Sequence, residues 1–348
     1  MYPSPENESF GTFVRNFHTG MSELGYDITK KVIIKKSQKK EGNIKLILKY
    51  LKFYISVWLE IFRNKNDITY IHYVSHCSIP VLFSKKKNIL ISNVHGTDVL
   101  PTTRKQKFFN LFVLKVLKKS DLVVVPSEYY RDFIEKKYQI DPNKIYISPS
   151  GGINPNTFKK TNYKKNTTMN FGFVSRIEKG KGWDTFIRAV NELKDKNFDF
   201  TIIGSGSKEH QMLQLINKYG LEDNISVLPS QPQSELVDYF NSFSSFIFPS
   251  EFESLGLVGI EAMACGVPVI GANNEGILTY LKDGKNGLVF EVNNHKELAT
   301  KIIEFSEFNE LKLDKLSKEA TETSRKYHQE VISRKLDIRI RDLVNSVN

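Results

Sequence analysis

The stretch EFESLGLVGIEAMACGVPVI, residues 251–270, carries two glutamates, Glu253 and Glu261, with Gly256 and Gly259 between them. An ionised carboxylate can accept hydrogen bonds from two neighbouring hydroxyl groups. These residue types could therefore hold vicinal diols. The alternative is structural: Glu253 would be an ordinary surface residue and Glu261 would only stabilise a helix.

A short helix is predicted to begin between the two acids. The strand-like FIFPS comes first, Gly266 is placed to end the helix and Pro268 cannot extend it, so the helix should run from near Gly256 to about Ala264. Backbone N–H groups at 255–258 would lack partners within the helix and would form an anion site. Phosphate there would repel both carboxylates, which favours hydroxyl groups as their ligands. A sugar nucleotide offers a ribose diol, a diphosphate and a sugar in that order.

A second candidate lies in the stretch RIEKGKG, where Arg176 and Lys181 stand on a strand-to-helix turn with Gly180 and Gly182. An arginine can bind a diphosphate bidentately and a lysine can bind it as a point charge. The same spacing also fits a solvated turn without a ligand.

Gly204 and Gly206 in GSGS follow the strand-like FTII. They could let backbone N–H groups approach a ligand. The alternative is a tight turn that needs positive φ angles. The pattern lacks a full G-x-G-x-x-G and therefore does not predict a dinucleotide site.

Short apolar runs alternate with helical patterns along the whole chain, in two series. The strand-like runs of the first series are 68–74, 88–96, 121–127 and 144–152. After the polar stretch 154–169 the strands resume at 170–176, 198–206, 225–230, 245–250, 266–272 and 287–292. Near-continuous apolar strands in β-α alternation predict an α/β protein with two doubly wound, Rossmann-like domains facing each other across a cleft.

The predicted domains are 1–155 on the acceptor side, a linker at 156–169 and a nucleotide-sugar-binding domain at 170–325. A helical pattern runs from about Lys312 to Val347, and the helix at 326–348 is expected to pack back toward the N-terminal domain. Ligands of such sheets lie beyond the carboxyl ends of the strands. The residues that directly follow the predicted strands are His95 to Asp98, Arg176, Gly204, Gly206 and the residues from Ser250 to Glu253.

The charge and composition of the chain indicate which kinds of binding partner are compatible with it. The net charge is +11, and nine lysines against one acid lie between Lys30 and Lys52, next to the aromatic-rich LKFYISVWLEIF. This combination suits an anionic membrane surface, although a solvated lysine-rich face is the alternative. No nucleic-acid motif accompanies the charge. Two cysteines and no apolar leader favour a cytoplasmic protein, able to lie peripherally on the inner face of the membrane.

The chain resembles the family 4 retaining glycosyltransferases, which have the GT-B fold. The signature PSEFESLGLVGIEAMACGVPVI carries the likeness, with Glu253 and Glu261 in the E-x7-E positions. Other segments match in order: NVHGTD, VVVPSEYY, IYISPSGGINPNTF, SRIEKGKGWDTFIRAV, TIIGSGS and DGKNGLVFEV.

The resemblance implies a donor site made of three groups of residues. Arg176 and Lys181 would bind the diphosphate of a UDP- or GDP-sugar, with Gly204 and Gly206 nearby. Glu253 would contact the transferred sugar, Ser254 to Leu257 would line the phosphate through backbone N–H groups of Leu255 and Gly256, and Glu261 would hold the ribose. His95 would reach the reacting centre from the N-terminal domain, and Gly11 would mark a loop over the phosphates. His72 and His76 are left as structural or acceptor-side residues.

The implied mechanism is front-face substitution with retention, in which Arg176, Lys181 and the helix N-terminus stabilise the departing diphosphate. No Asp-x-Asp occurs in the chain, which argues against a magnesium site and implies no cofactor. The basic N-terminal face suggests a lipid-linked saccharide acceptor at the inner membrane surface, as in the synthesis of bacterial surface polysaccharides such as capsule, O-antigen, lipopolysaccharide or exopolysaccharide. The nucleobase is expected near 228–233.

One departure from the family pattern concerns the N-terminus. Family members begin with a buried apolar strand that leads into the YP segment, whereas this sequence begins at Met1-Tyr2-Pro3. We expect either a start that lies upstream or a short N-terminal sheet in which KKVIIKK is not a strand.

Two other classes of function remain open on the sequence alone. A nucleotide-sugar epimerase or a phosphorylase can use the same two-domain frame, and free epimer formed without an acceptor would favour the epimerase. A non-catalytic polysaccharide-assembly protein would tolerate Glu253→Ala and Lys181→Ala, whereas a transferase would not.

Overall fold

The computed structural model describes residues 11–28, 31–33, 42–63, 67–83, 88–100, 104–161 and 168–347. Contacts divide the chain into two compact units. The first unit comprises 1–152 together with 329–348, and the second unit comprises 153–328. The polar stretch that the sequence predicts as a linker, 156–169, falls within the second unit, and its residues 162–167 lie outside the described part.

The strands coincide with the apolar runs of the sequence. In chain order they are β1 (Ile68–His72), β2 (Ile89–Asn93), β3 (Leu122–Val125), β4 (Ile145–Ile147), β5 (Met169–Val174), β6 (Phe198–Ile203), β7 (Ile225–Leu228), β8 (Ser245–Phe248), β9 (Val269–Ala272) and β10 (Gly287–Phe290).

Helices occupy most of the segments between the strands. They are α1 (Thr12–Glu23), α2 (Asn43–Arg63), α3 (Val74–Leu82), α4 (Arg104–Lys119), α5 (Glu128–Tyr138), α6 (Trp183–Glu192), α7 (Glu209–Tyr219), α8 (Gln233–Ser242), α9 (Leu257–Ala264), α10 (Glu275–Leu278), α11 (His295–Ser306), α12 (Glu310–Arg325) and α13 (Gln329–Val347).

The sheet of the first unit is parallel and has the order β1-β2-β3-β4. Because successive side chains of a strand point to opposite faces, β2 and β3 supply two cores. Leu90, Val123 and Val125 pack with α4 and α5 residues on one face. On the other face, Ile89 and Ile91 belong to a cluster with Met21 of α1 and with Leu336, Ile340 and Leu343 of α13. Helix α13 is therefore part of the core of the first unit.

The sheet of the second unit has the order β10-β9-β8-β5-β6-β7, and all its pairings are parallel. The chain adds strands outward from β5 to β7 and then returns to place β8 on the other side of β5. This reversal is a topological switch point, the place where α/β sheets bind ligands. Two parallel sheets covered by helices confirm the predicted α/β class.

The helical pattern predicted from Lys312 to Val347 is interrupted in the structure. Helix α12 ends at Arg325 and α13 begins at Gln329. Between the two helices, the carbonyl of Tyr327 accepts a hydrogen bond from the N–H of Ile153 at 2.8 Å. His328 forms an isolated parallel β-bridge with Ile153. The helical pattern is therefore divided into two helices, because the backbone between them pairs with another segment.

Candidate active site

The loops after β5 and β8 meet at the switch point of the second unit. The N–H of Glu251 donates to the carbonyl of Gly180 at 3.0 Å. Gly182 lies so close to Pro249 that an added Cβ would be 2.1 Å from its carbonyl oxygen. The turn that carries Arg176 and Lys181 is thus joined through its backbone to the turn that carries Glu253.

Lys181 and Glu253 form an ion pair across this junction. Lys181 Nζ lies 2.5 Å from Glu253 Oε1, and the side chains are 20% and 14% exposed. A partly buried pair is screened less by water than a surface pair, and removal of one partner leaves the other without compensation. The two predicted site residues, 72 positions apart in sequence, are brought together by the fold.

The other predicted phosphate ligand, Arg176, is exposed and lies two residues beyond β5. Ser254, Gly256 and Leu257 are half-buried, and Leu255 is buried. Arg176 is therefore accessible to solvent on the segment that leads from β5 to Lys181. The ligand roles of all these residues stay predictions.

Helix α9 begins at Leu257 and ends at Ala264, as Gly256, Gly266 and Pro268 predict. Its N-cap, Gly256, has φ 82°, a left-handed conformation that other residues adopt only with strain. A Cβ at Gly256 would also lie 2.7 Å from the ring of Phe248. Because the first N–H groups of a helix lack intrahelical acceptors, the start of α9 is a partly positive site directly after Glu253.

Glu261, in the second turn of α9, is buried, with 7% of its surface exposed. Its Oε1 accepts a hydrogen bond from Gln233 Nε2 at 2.8 Å. Burial raises the pKa of Glu261 to about 7, and the Gln233 hydrogen bond opposes this rise. Glu253 and Glu261 therefore differ in chemistry, since one carboxylate faces a cation and the other faces a neutral amide.

Three residues that position this site were not found from the sequence. Asn274 Nδ2 donates to the carbonyl of Ser250 at 2.8 Å, and the Asn274 side chain also caps α10. Tyr280 donates its hydroxyl to the carbonyl of Gly256 at 2.9 Å. Gly276 lies against Glu253, whose carbonyl oxygen would be 2.2 Å from an added Cβ. The segment 274–280 thus holds the backbone on which Glu253 and the start of α9 are mounted.

The alternative of a tight turn with positive φ at Gly204 and Gly206 is contradicted, since neither residue has a positive φ. An added Cβ would lie 1.8 Å from the carbonyl oxygen of Ser175 at Gly204, and 2.3 Å from that of Ile177 at Gly206. The glycines are needed because this loop packs directly on the backbone after β5. The N–H of Gly204 already donates to Leu228, so it is not available to a ligand.

In the first unit, His95 lies two residues beyond β2, next to His72 at the end of β1. His72 Nδ1 and His95 Nε2 are 3.2 Å apart. The buried carboxylate of Asp98 accepts from the N–H of His95 and from the N–H of Val74, both at 3.0 Å. Asp98 thereby joins the ends of the two neighbouring strands.

Burial dominates the ionisation of this group. It lowers the pKa of His95 to about 3 and lowers that of His72 well below the ordinary value, to which the neighbouring His95 also contributes. Burial raises the pKa of Asp98 to about 6, against the hydrogen bonds from backbone N–H groups. Both imidazoles are therefore neutral near pH 7.

The remaining predicted residues are only partly described. Gly11 is the N-cap of α1 and has φ 80°; its predicted place over the phosphates stays a prediction. His76 lies in α3, but its side chain is outside the described part of the structure. Within the described ranges, no three His, Cys, Asp or Glu side chains are grouped so that they could hold a metal ion. No described helix is long and apolar enough to cross a membrane.

Two parallel-sheet units, one with a topological switch point, agree with the GT-B fold of glycosyltransferases. The family model for glycosyl transferases group 1 matches residues 155–326, and that for glycosyltransferase family 4 matches residues 12–152. The chain belongs to the family 4 glycosyltransferases.

Curated relatives agree with this family. An uncharacterized glycosyltransferase of Methanocaldococcus jannaschii is 29% identical over 76% of this chain and 72% of its own length. A D-inositol 3-phosphate glycosyltransferase of Rhodococcus jostii is 30% identical over 53% of this chain and 45% of its own. A Salmonella typhimurium glycosyltransferase, provisionally named for colanic acid biosynthesis, is 27% identical over 64% and 57%. The matches to the last two span only about half the length of those relatives.

Solved structures share the fold at low sequence identity. Sucrose-phosphate synthase from Thermosynechococcus elongatus has a TM-score of 0.80 at 18% identity, covering 96% of this chain and 93% of that one. The Anabaena protein HepE, solved with UDP and glucose, has a TM-score of 0.71 at 17% identity, covering 87% and 84%.

Proposed function

We propose that this protein is a retaining, metal-independent glycosyltransferase that moves a sugar from a nucleotide-diphosphate sugar to a lipid-linked saccharide of a bacterial surface polysaccharide. The Lys181–Glu253 ion pair at the topological switch point carries the proposal. In a family of glycosyltransferases, this pair sets a cation for phosphate beside a carboxylate for sugar hydroxyls.

Donor binding would replace the ion pair by two sets of contacts. The diphosphate would take the ammonium of Lys181, together with Arg176 and the N-terminus of α9. The released Glu253 would accept hydrogen bonds from hydroxyls of the transferred sugar, and Glu261 would accept them from the ribose. This exchange compensates each charge in both states, because neither is left buried without a partner.

In the reaction, an acceptor hydroxyl oxygen attacks the anomeric carbon as the bond from that carbon to the phosphate oxygen breaks. The acceptor proton passes to the departing phosphate oxygen on the same face, so the anomeric configuration is retained. Lys181, Arg176 and the α9 dipole stabilise the charge that develops on the diphosphate, which is electrostatic catalysis. The protein needs no nucleophile and no metal for this sequence of bond changes.

The donor and the stereochemistry can be tested directly. Melting temperatures would be measured with UDP-, GDP-, ADP- and dTDP-sugars, and a bound donor should raise the value by mass action. Transfer with the stabilising donor should give a product of unchanged anomeric configuration, and a chelator should leave the rate unaltered. An inverted product, or a rate abolished by the chelator, would contradict the proposal.

The choice of acceptor is supported by one relative and by one helix. The Salmonella typhimurium relative carries a name from polysaccharide biosynthesis. In this chain, helix α2 presents an apolar stripe to solvent, which a protein acting only on soluble substrates does not need. The acceptor would then be reached at an anionic membrane surface.

The stripe on α2 is distinct from the face that packs on the core. Phe53 and Ile61 are buried, whereas Ile44 is 75% and Phe62 is 71% exposed. Leu46 is also exposed, but it lies on the side of the core face. At the angular spacing of a helix, the other eight large apolar residues exposed on α2 fall within an arc of about 120°. They are Ile44, Ile47, Leu48, Leu51, Ile55, Trp58, Leu59 and Phe62.

Basic residues border the stripe. Lys45 and Lys52 are exposed and lie on the face of α2 next to it, with Lys49 between them. An apolar stripe with lysines along one edge suits the boundary between anionic headgroups and acyl chains. The predicted membrane region from Lys30 to Lys52 also includes Lys30 and the lysines at 35–40, which lie outside the described residues.

Vesicle flotation tests this location on the full chain. We expect binding to vesicles that contain phosphatidylglycerol, weaker binding to phosphatidylcholine alone, and loss of binding in L51S/I55S and in K45E/K52E. Leu311→Ser is the matched control, since Leu311 is exposed on α12 of the other unit. Should L51S/I55S instead turn a dimer into a monomer and leave flotation unchanged, α2 would be a contact between copies.

Two alternatives make different products. An epimerase on this frame would release a free epimeric sugar nucleotide without an acceptor, and a phosphorylase would need inorganic phosphate. A non-catalytic assembly protein would keep its function in Lys181→Ala and Glu253→Ala. The proposed transferase requires an acceptor and loses activity in both variants.

A further inference from the structure

The ends of β1 and β2 place two histidine rings in direct contact. His72 pairs in register with Asn93, the last residue of β2, so the residues that follow β2 pass beside it and the ring of His95 stacks on its ring. The rings are inclined by 26°, and Nδ1 of His72 is 3.2 Å from Nε2 of His95. A hydrogen bond at this distance requires that one nitrogen carries the proton and the other accepts it.

The surroundings fix both rings in this arrangement. The ring of Phe13 lies on His95 with centroids 4.4 Å apart, and Phe17 meets His72 edge-on at 4.7 Å. Asp98 holds the backbone of His95 through its N–H. Neither ring can turn away from the other without disturbing this packing.

The direction of the hydrogen bond follows from the other nitrogen of His72. Nε2 of His72 is buried and has no hydrogen-bond partner among the described residues. A buried N–H without an acceptor is tolerated less often than a lone pair without a donor. Neutral His72 should therefore carry its proton on Nδ1 and donate it to His95 Nε2. A neutral His95 must then carry its own proton on Nδ1.

We propose that His72 is a positioning residue that holds His95 in the tautomer with the proton on Nδ1, so that His95 meets the substrate as a neutral hydrogen-bond donor. This inference rests on the proposed function, because it assigns a role to His95 in the transfer reaction. With Nε2 engaged by His72 and Nδ1 protonated, His95 has no lone pair free to remove a proton. The acceptor proton therefore goes to the departing phosphate, and His95 donates to an oxygen of the sugar or of the acceptor.

The tautomer can be measured without any substrate. Protein labelled with ¹⁵N-histidine shows by long-range ¹H–¹⁵N couplings which ring nitrogen is protonated, and the His95 signals are assigned by their loss in His95→Gln. We expect the Nδ1–H form in the unaltered protein, a mixture of both forms in His72→Ala, and the Nδ1–H form again in His72→Asn, whose amide can donate from the same place. An Nε2–H form in the unaltered protein, or no change in His72→Ala, would overturn the inference.

Kinetics give the second readout. Loss of the hydrogen bond should lower kcat about tenfold in His72→Ala, and His72→Asn should recover most of this loss. The KM for the donor should change little, since the proposed nucleotide contacts lie in the second unit. His210→Ala is the control, because His210 is exposed on α7. Equal losses in the alanine and asparagine variants, at unchanged melting temperature, would contradict a positioning role.

The two proposals fail in distinguishable ways. Absence of transfer by the unaltered protein with every donor and acceptor would remove the proposed function, whatever the state of the histidines. An unexpected tautomer in an active enzyme would remove only the role of His72. If His72→Ala does not fold, the tautomer of the unaltered protein and the behaviour of His72→Asn still decide.

Discussion

The two sheets of the molecule bring polar residues together in different ways. In the second unit, the strand order reverses between β5 and β8, and Lys181 meets Glu253 across a separation of 72 residues. In the first unit, the described strands follow one another in simple order, and His72 meets His95 across only 23 residues. The first contact joins opposite charges and the second joins two neutral rings.

The difference matches what each group has to bind in the proposed reaction. A diphosphate carries charge that must be compensated, and a sugar or an acceptor carries hydroxyl groups that need neutral partners. Charged residues are held ready by pairing with each other, while the histidines are kept neutral by burial, which lowers the pKa of both. The charged side should therefore respond to charge-removing variants and the neutral side to variants that alter hydrogen-bond direction.

The largest expected effect is on the charged side. Lys181→Ala should lower kcat on the order of 10²–10³-fold, because a cation that stabilises the departing diphosphate is lost. Lys179→Ala is the control, since Lys179 is exposed on the same turn. Steady-state rates with the donor found in the thermal screen would measure the loss. Comparable rates in the two variants would show that the Lys181–Glu253 pair is only structural.

Glu261 allows a test by pH. Its pKa is raised by burial from the ordinary 4.5 to about 7, so its charged form opposes folding above pH 7 and not below pH 4.5. Glu261→Gln should therefore increase the free energy of unfolding by about 3 kcal/mol at pH 8 and by little at pH 4.5. Denaturant unfolding at both pH values would measure this, with Glu275→Gln, at an exposed position of α10, as control. A gain that is larger in acid would show that the charged form is favoured in the fold.

Glu253→Gln should separate the two halves of the ion pair. Without its carboxylate partner, Lys181 is free for phosphate, so affinity for the free nucleoside diphosphate should rise about tenfold, or about 1.4 kcal/mol. Sugar transfer should fall in the same variant, since sugar hydroxyls lose their acceptor. Calorimetry with UDP or GDP and initial rates would measure the two effects. Weaker nucleotide binding would mean that Glu253 positions Lys181 and does not compete for it.

The smallest expected effect comes from Tyr280. Tyr280→Phe removes the hydrogen bond to the carbonyl of Gly256 and should lower stability by about 1 kcal/mol. Because Gly256 begins α9, the KM for the donor should rise modestly while kcat stays close to normal. Tyr219→Phe is a control, since Tyr219 lies on α7, away from this helix. A large fall in kcat would give the start of α9 a more direct part in the reaction.

Glycine and proline residues that begin or end helices made part of the site predictable from the sequence. Gly256, Gly266 and Pro268 fix both ends of α9, because each acts on its own backbone or on the next turn. The contacts of Gln233, Asn274 and Tyr280 were not predictable, since they join positions 24 to 28 residues apart through the packing of separate elements.

Gly204 and Gly206 show how little a sequence pattern predicts about contacts between distant segments. Their identity correctly indicated a backbone constraint, but the cause lies in a loop some thirty residues earlier in the chain, where the carbonyls of Ser175 and Ile177 approach. Likewise, the histidine contact depends on which residue of β1 stands beside which residue of β2. A sequence pattern gives the strands but not this alignment.

The place of α13 has a consequence for the order in which the chain can fold during synthesis. The second unit is continuous from 153 to 328 and can fold once that segment has left the ribosome. The first unit is synthesised earlier, but one face of its sheet packs against Leu336, Ile340 and Leu343 of α13, which are synthesised last. Its nascent form would expose Ile89 and Ile91 through the whole synthesis of the second unit, the interval in which chaperone binding should be strongest.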